Sequence, residues 1–287
     1  MREVAVVTTG FFDGVHLGHR HVIETVVSCA RERGQEAVVV TFWPHPRTVL
    51  QQDARDFRIL TTLEEKKRML LDCGIDRVEV IPFTRDFAAL TAREYLSLLK
   101  DKYDASDIVM GFDNRIGCDR LSAKQIQNVI VVDEIGDNTL SSTKIRKELL
   151  DGNIAQANAM LGYEYEMTGA VVAGNRLGRT IGFPTANMQL YEPLKLVPGN
   201  GVYCVEVEVL GVKYKGMCNI GNRPTVGGVT RTIETHILDF DQDIYGLPLT
   251  LRFASRIRDE RKFDSLEELR KQLEQDSRAC RVRACNK

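Results

Sequence analysis

Short apolar runs recur through the first half of the chain: Val4-Ala5-Val6-Val7, Ala37-Val38-Val39-Val40, Val78-Glu79-Val80-Ile81, Asp107-Ile108-Val109-Met110 and Val129-Ile130-Val131-Val132. Runs this short, nearly continuous and β-branched are what strands covered on both faces require. Helical patterns separate them. Leu63, Met69, Leu70 and Cys73 fall near helical spacing and stop at Gly74, a residue suited to the left-handed turn that ends a helix. Thr91-Ala92-Arg93-Glu94 opens a second helix, to Tyr103, with the reciprocal side-chain and backbone pairing of a capping box. Strands alternating with helices predict an α/β domain with a parallel, doubly wound sheet.

The pattern changes near residue 162. In Val202-Tyr203-Cys204-Val205-Glu206-Val207-Glu208-Val209, Tyr203, Val205, Val207 and Val209 face one way and Cys204, Glu206 and Glu208 the other, the period of a half-buried strand. Further strands are expected at 168–174, 213–220, 231–238 and 248–254, between Gly, Pro and Asn turns. Such a series predicts an antiparallel β-barrel or sandwich. Ser265 caps a last helix that begins Leu266-Glu267-Glu268-Leu269 and runs toward residue 279. The expected domains are therefore 1–162 and 163–287, joined by a short linker near 151–166.

The 287 residues suit two cores rather than one. Apolar and charged fractions of 43% and 28% are those of a soluble globular protein. A net charge of −1 argues against broad binding to nucleic acid or anionic membrane, and no apolar run approaches the length that spans a bilayer. Arg278 to Arg283 reads as a solvated helix end. The seven cysteines form no Cys-x-x-Cys pair, so neither zinc nor a redox motif is indicated. Cys29, Cys73, Cys204 and Cys218 lie in apolar patterns and are expected as buried free thiols, which points to the cytoplasm.

Two segments carry candidate chemistry. The first is Gly10-Phe11-Phe12-Asp13-Gly14-Val15-His16-Leu17-Gly18-His19. It comes after a strand and opens a helix, at the carboxyl edge where parallel sheets bind ligands. A helix N-terminus offers unpaired N–H groups to phosphate. His16 and His19 share a helical face, Gly18 lets a phosphate approach the backbone, and two imidazoles there can donate to a phosphoryl group as charge builds on it. His21 falls on a different face, and a metal site has no acidic cluster beyond Asp13. Ser141-Ser142-Thr143-Lys144-Ile145-Arg146 adds hydroxyls at a helix start and, at Arg146, a cation able to grip phosphates.

The second segment is Gly174-Asn175-Arg176-Leu177-Gly178-Arg179-Thr180-Ile181-Gly182-Phe183-Pro184-Thr185-Ala186-Asn187. It is not a P-loop: the Lys is absent, the glycines are one residue too close, and the residues after Gly178 do not have a helical pattern. A glycine turn between strands can still form an anion-binding nest. Thr185 and Asn187, two apart on extended chain, offer hard oxygens to one side, as Mg²⁺ bridging ATP phosphates prefers. Glu234 alternates with Thr232 and His236 on the polar side of a strand, with Ile233 and Ile237 toward the core.

Taken together these motifs resemble the bacterial bifunctional riboflavin kinase/FAD synthetases. The first segment, with Thr41-Phe42-Trp43-Pro44-His45-Pro46, Leu60-Thr61-Thr62-Leu63-Glu64-Glu65-Lys66, Pro82-Phe83-Thr84 and the Ser-Ser-Thr element, looks like the adenylyl-transferring module of the nucleotidyltransferase superfamily, which has a Rossmann-like fold. The second, with Asn200-Gly201-Val202-Tyr203, Asn219 to Thr225, Thr232 to His236, Tyr245-Gly246 and Arg258-Asp259-Glu260, looks like a riboflavin kinase barrel. The resemblance implies ATP and Mg²⁺, with riboflavin and FMN as small-molecule substrates. It implies His16 and His19 as catalytic donors, Gly10, Asp13, Gly18, Ser142, Thr143 and Arg146 around one ATP, and Gly174, Gly178, Arg179, Thr180 and Asn187 around another. Thr185 and Asn187 are implied as metal contacts, Glu234 as general base, and Asp113 and Arg223 as flavin contacts. Members usually carry Asn where this chain has Phe11, and aromatics where it has Asn114 and Ile116. A kinase with an altered first domain, and a flavin-binding regulator without turnover, are the rival readings.

Overall fold

The computed structural model describes residues 4–51, 56–133, 140–174, 177–225 and 228–283. In chain order the elements are β1 Ala5–Thr9, α1 Leu17–Arg33, β2 Glu36–Trp43, α2 Pro46–Leu50, α3 Leu63–Asp72, β3 Arg77–Pro82, α4 Arg85–Ala88, α5 Ala92–Tyr103, β4 Ala105–Gly111, β5 Arg115–Ile116, β6 Leu121–Ser122, β7 Ile130–Val132 and α6 Ser142–Leu150. They continue with α7 Ile154–Leu161, β8 Glu166–Val172, α8 Leu177–Thr180, β9 Ala186–Leu190, β10 Gly201–Val209, β11 Val212–Thr225, β12 Gly228–Ile237, β13 Pro248–Arg258 and α9 Leu266–Arg283.

The chain forms two compact units that divide between Lys144 and Ile145. The sequence pattern places the division after 162, so α7 and most of α6 fall in the second unit instead. The reason is hydrogen bonding that periodicity does not encode. Gly199 N donates to Leu149 O at 2.8 Å, and Asn158 Nδ2 donates to Phe253 O at 2.8 Å.

In the first unit five strands form a sheet in the order β3-β2-β1-β4-β7, every pair parallel. All of Ala5–Thr9 is buried, because the central strand is covered on both faces. Thr62 with Glu65 and Thr91 with Glu94 both form complete capping boxes. The strand order reverses direction at β1, which puts the switch point, and hence the ligand crevice of such sheets, at the carboxyl end of β1. Gly10 to His16 occupy that end.

The second unit is a closed six-stranded barrel in the order β10-β11-β12-β9-β8-β13, every pair antiparallel. β9 is not predicted from its sequence, which lacks β-branched residues; its pairing with β8 and β12 makes it a strand. Leu177–Thr180 form one helical turn, where the sequence reading predicts none. Of the cysteines expected as buried free thiols, Cys218 is buried and free, Cys29 and Cys73 are free but only half-buried, and Cys204 is not free. Cys204 and Cys280 form a disulfide across 76 residues, with Cα atoms 5.2 Å apart. It fastens α9 to β10, and both cysteines are buried. Cys29, Cys73, Cys118 and Cys218 are free. The Arg-rich end is part of α9, and Arg281 pairs with Asp239 at 2.7 and 2.8 Å.

Candidate active sites

The loop after β1 is held from beneath. Asp13, 3% exposed, accepts from Leu60 N, Thr61 N and the Thr61 hydroxyl at 3.0–3.2 Å. Its carboxylate therefore anchors the loop to residues 60–61. Asp13→Ala is expected to cost about 2–4 kcal/mol, because it leaves two buried amides unpaired; a lowered melting temperature of the first unit measures it. Lys66 comes up from α3, 1% exposed, and donates to Phe11 O at 2.9 Å and Thr41 Oγ1 at 3.0 Å, with Nζ 3.9 Å from the Phe11 ring centroid.

Burial pushes the Lys66 ammonium down to about 8, against a partial opposing pull from Asp13. Below pH 8 the lysine is charged both folded and unfolded, and its burial cost is fully present. Between about 8 and 10.5 only the unfolded chain holds the proton, so stability rises with pH across that window. Lys66→Met is expected to lack this rise, which amounts to about 3 kcal/mol from the size of the shift. Unfolding of both proteins at pH values of about 7.5 and about 10 tests the difference in slope.

Above the loop lies a cavity of about 450 Å³ lined by Phe12, His16, Gly18, His19, His21, Phe112, Asp113, Asn114, Ser141 and Ser142, among others. His16 is the N-cap of α1, and its Nδ1 accepts from His19 N at 3.4 Å. That acceptor role places the His16 proton on Nε2. The His16 and His19 rings stack at 3.6 Å, inclined by 18°. His19 Nδ1 is enclosed without a hydrogen-bond partner among the described residues. Burial first, then the neighbouring His16 and Lys66, hold the His19 imidazolium well below the usual histidine range. His19 is thus a neutral donor at neutral pH.

A Cβ on Gly18 would crowd the His16 ring at 3.3 Å. Ser142 Oγ donates to Asp13 O at 2.9 Å, tying the start of α6 to the loop. Thr143 is exposed there, and half-buried Arg146 lies one turn further along α6. Asp113, implied as a flavin contact, lines this histidine cavity. His21 lines it too, although helical spacing puts it on another face; the cavity wraps around the first turns of α1.

A second cavity in this unit, about 570 Å³, is walled by Phe42, Phe83, Phe87 and Tyr95 and bounded by Gly10, Phe11, Asn114, Ile116 and Cys118. Its aromatic wall is a cluster of edge and tilted contacts at 5.4–6.1 Å. Asn114 lines both this cavity and the histidine cavity.

The barrel unit also carries two cavities, each about 300 Å³. One is lined by Arg179, Pro184, Thr185, Phe240, Asp243 and Tyr245, among others. The other takes in Gly178, Phe183, Thr185, Asn219, Glu234, His236 and Glu260, with Leu269 and Leu273 from α9. Thr185 lines both. Glu234 stands on β12 opposite Asn187 of β9 and Asn219 of β11. His236 Nδ1 lies 2.8 Å from Pro184 O, and burial lowers its pKa. A Cβ on Gly174 would collide with the Asn187 amide, and one on Gly178 with Phe183 O, so both glycines are needed for close approach. Thr180 is exposed. Asn175, Arg176 and the Arg223 side chain lie outside the described residues.

A parallel-sheet unit with paired imidazoles at its switch point, joined to a barrel with a carboxylate in one of two clefts that share Thr185, fits a two-site phosphate transferase. A family model for FAD synthetase matches residues 1–147, and one for riboflavin kinase matches residues 161–283. The bifunctional riboflavin kinase/FMN adenylyltransferase of Escherichia coli (strain K12) is 39% identical over 98% of this chain and 93% of its own. The protein of the same description from Bacillus subtilis (strain 168) is 37% identical over 95% and 90%. A Streptococcus pneumoniae crystal structure described as a macrolide-efflux protein superposes with a TM-score of 0.92 at 36% identity, covering 97% of this chain and 94% of that one. The chain belongs to the bifunctional riboflavin kinase/FMN adenylyltransferase family. Among the described residues no helix is long and apolar enough to cross a membrane.

Proposed function

We propose that the barrel phosphorylates riboflavin to FMN and that the parallel-sheet unit transfers AMP from a second ATP to FMN, giving FAD and pyrophosphate. The observation that carries the barrel assignment is Thr185. It lines both barrel cavities, and Glu234 lines one of them. ATP occupies the cleft with Arg179, riboflavin the one with Glu234, and the γ-phosphoryl group crosses at Thr185. Glu234 accepts the proton of the riboflavin 5′-hydroxyl as that oxygen attacks.

Thr185 and Asn187 are neutral oxygen donors, which fits Mg²⁺ brought in with the phosphates rather than a protein cage. The described residues hold no group of three or more His, Cys, Asp or Glu placed for a metal. Bound there, Mg²⁺ would neutralise charge on the transferring phosphate.

In the first unit the flavin ring takes the aromatic cavity and ATP the histidine cavity, with Asp113 on the nucleotide side. The FMN phosphate attacks the α-phosphorus directly, and pyrophosphate leaves. His16 and His19 donate to the charged phosphoryl group, and Ser142 and Thr143 hold the departing phosphates. ATP as the shared substrate supports a cytoplasmic location. Incubation with riboflavin, ATP and Mg²⁺ should yield FMN first and FAD after it. FMN accumulation without pyrophosphate would leave the kinase alone standing.

A further inference from the structure

The junction between the two cavities of the first unit is made by one polar side chain. Asn114 lines the aromatic cavity and the histidine cavity alike. It sits between β4 and β5, half-buried, where the main chain holds it on both sides: Asn114 N donates to Gly111 O at 3.0 Å, and Ala123 N donates to Asn114 O at 3.1 Å. Its side-chain amide donates from Nδ2 to Thr9 O, the last carbonyl of β1, at 3.3 Å. That bond fixes the amide's orientation, because a flipped amide would set oxygen against oxygen. Oδ1 is thereby committed as an acceptor, and no hydrogen bond to it is found among the described residues.

The chemistry of the acceptor substrate matches this layout. In FMN a flat apolar ring system and a phosphate are separated by a chain of secondary hydroxyls. With the ring against Phe42, Phe83, Phe87 and Tyr95, and the phosphate beside His16 and His19, the hydroxylated chain must pass Asn114. We infer that Asn114 reads this polyol chain, its Oδ1 accepting from a chain hydroxyl, and so acts as a specificity residue that sets the distance between ring and phosphate. This role rests on the proposed adenylyl transfer to FMN. It also gives a task to a position where this chain departs from the family pattern.

The test pairs a protein deletion with a ligand deletion. Adenylyl transfer is measured for wild type and Asn114→Ala, with FMN and with an analogue that carries its phosphate on an unhydroxylated five-carbon chain. The substitution is expected to raise KM for FMN roughly tenfold, the scale of one lost hydrogen bond in a site built to receive it. KM for the analogue should stay within about twofold, because the interaction removed is already missing there. An equal penalty on both substrates marks general damage to the site and overturns the inference. So does a penalty that disappears with 2′,3′-dideoxy-ATP, since the hydroxyl read would then belong to the nucleotide. Wild-type protein that releases no pyrophosphate with FMN overturns the adenylyl-transfer reading and this inference with it. Normal wild-type turnover with equal penalties overturns this inference alone.

Discussion

His19→Ala is expected to slow FAD formation from FMN by roughly 10²–10³-fold, the usual cost of removing one preorganised donor from a developing charge, while riboflavin phosphorylation stays at its wild-type rate. The size of the effect comes from preorganisation. The ring is clamped by the stacked His16 and by the edge of Phe12, whose centroid is 5.3 Å away. Its Nδ1 is buried without a partner among the described residues, so the ring is held by packing rather than by hydrogen bonds. A neutral donor needs no solvent rearrangement as the phosphoryl charge grows. Because burial keeps His19 neutral, acidification through the ordinary histidine range should not convert it to imidazolium. The unfolded chain does take up a proton there, so folding stability from this group falls as pH drops below about 6.5. Separate pyrophosphate and FMN assays on the variant decide the matter: equal loss in both reactions would refute a dedicated adenylyl-transfer role.

Glu234→Gln should reverse the pattern. It keeps size and polarity but removes the base, and a general base contributes roughly 10²–10⁴-fold. FMN formation from riboflavin is expected to fall by that factor in kcat, with KM for riboflavin and ATP little changed, while added FMN is still converted to FAD. The strand explains why the carboxylate is well placed. Ile233, Thr235 and Ile237 are buried on one side of β12, which fixes Glu234 on the other, facing the cleft that it shares with Asn219 and Thr185. A variant with unaltered kcat would assign proton acceptance to another group, and Glu260, in the same cleft, would be the next candidate.

Much of this was written into local pattern. The five apolar runs of the first half became the five strands of the parallel sheet, since covering on both faces demands that composition. Both His16 and His19 came to one cavity because a step of about three residues on a helix shares a face. Thr91 and Glu94 capped α5 through contacts within one turn. What was illegible depended on partners distant in sequence. β9 is a strand only because β8 and β12 flank it, and that pairing is what sets Asn187 opposite Glu234. That the Asp13 carboxylate ties its loop to Leu60 and Thr61 was likewise invisible, since those residues are distant in sequence. His21 enters the cavity through the curvature of the walls around α1, which helical spacing alone does not describe. The Cys204–Cys280 bond joins an alternating strand to a polar helix, and neither segment signals the other. The aromatic cavity draws Phe42, Phe83, Phe87 and Tyr95 from separate stretches, so no motif announces it.

The closed barrel has a consequence for self-association. A sheet that closes on itself has no outer strand with unpaired amides, so a second chain cannot extend it. The only open sheet of any size among the described residues is in the first unit, where β3 and β7 are the borders. β3 bears Arg77, Glu79 and Pro82, and β7 is just three residues long, both features that resist strand addition. Among the described residues, the borders of the larger open sheet therefore disfavour templated sheet growth, and the barrel offers none.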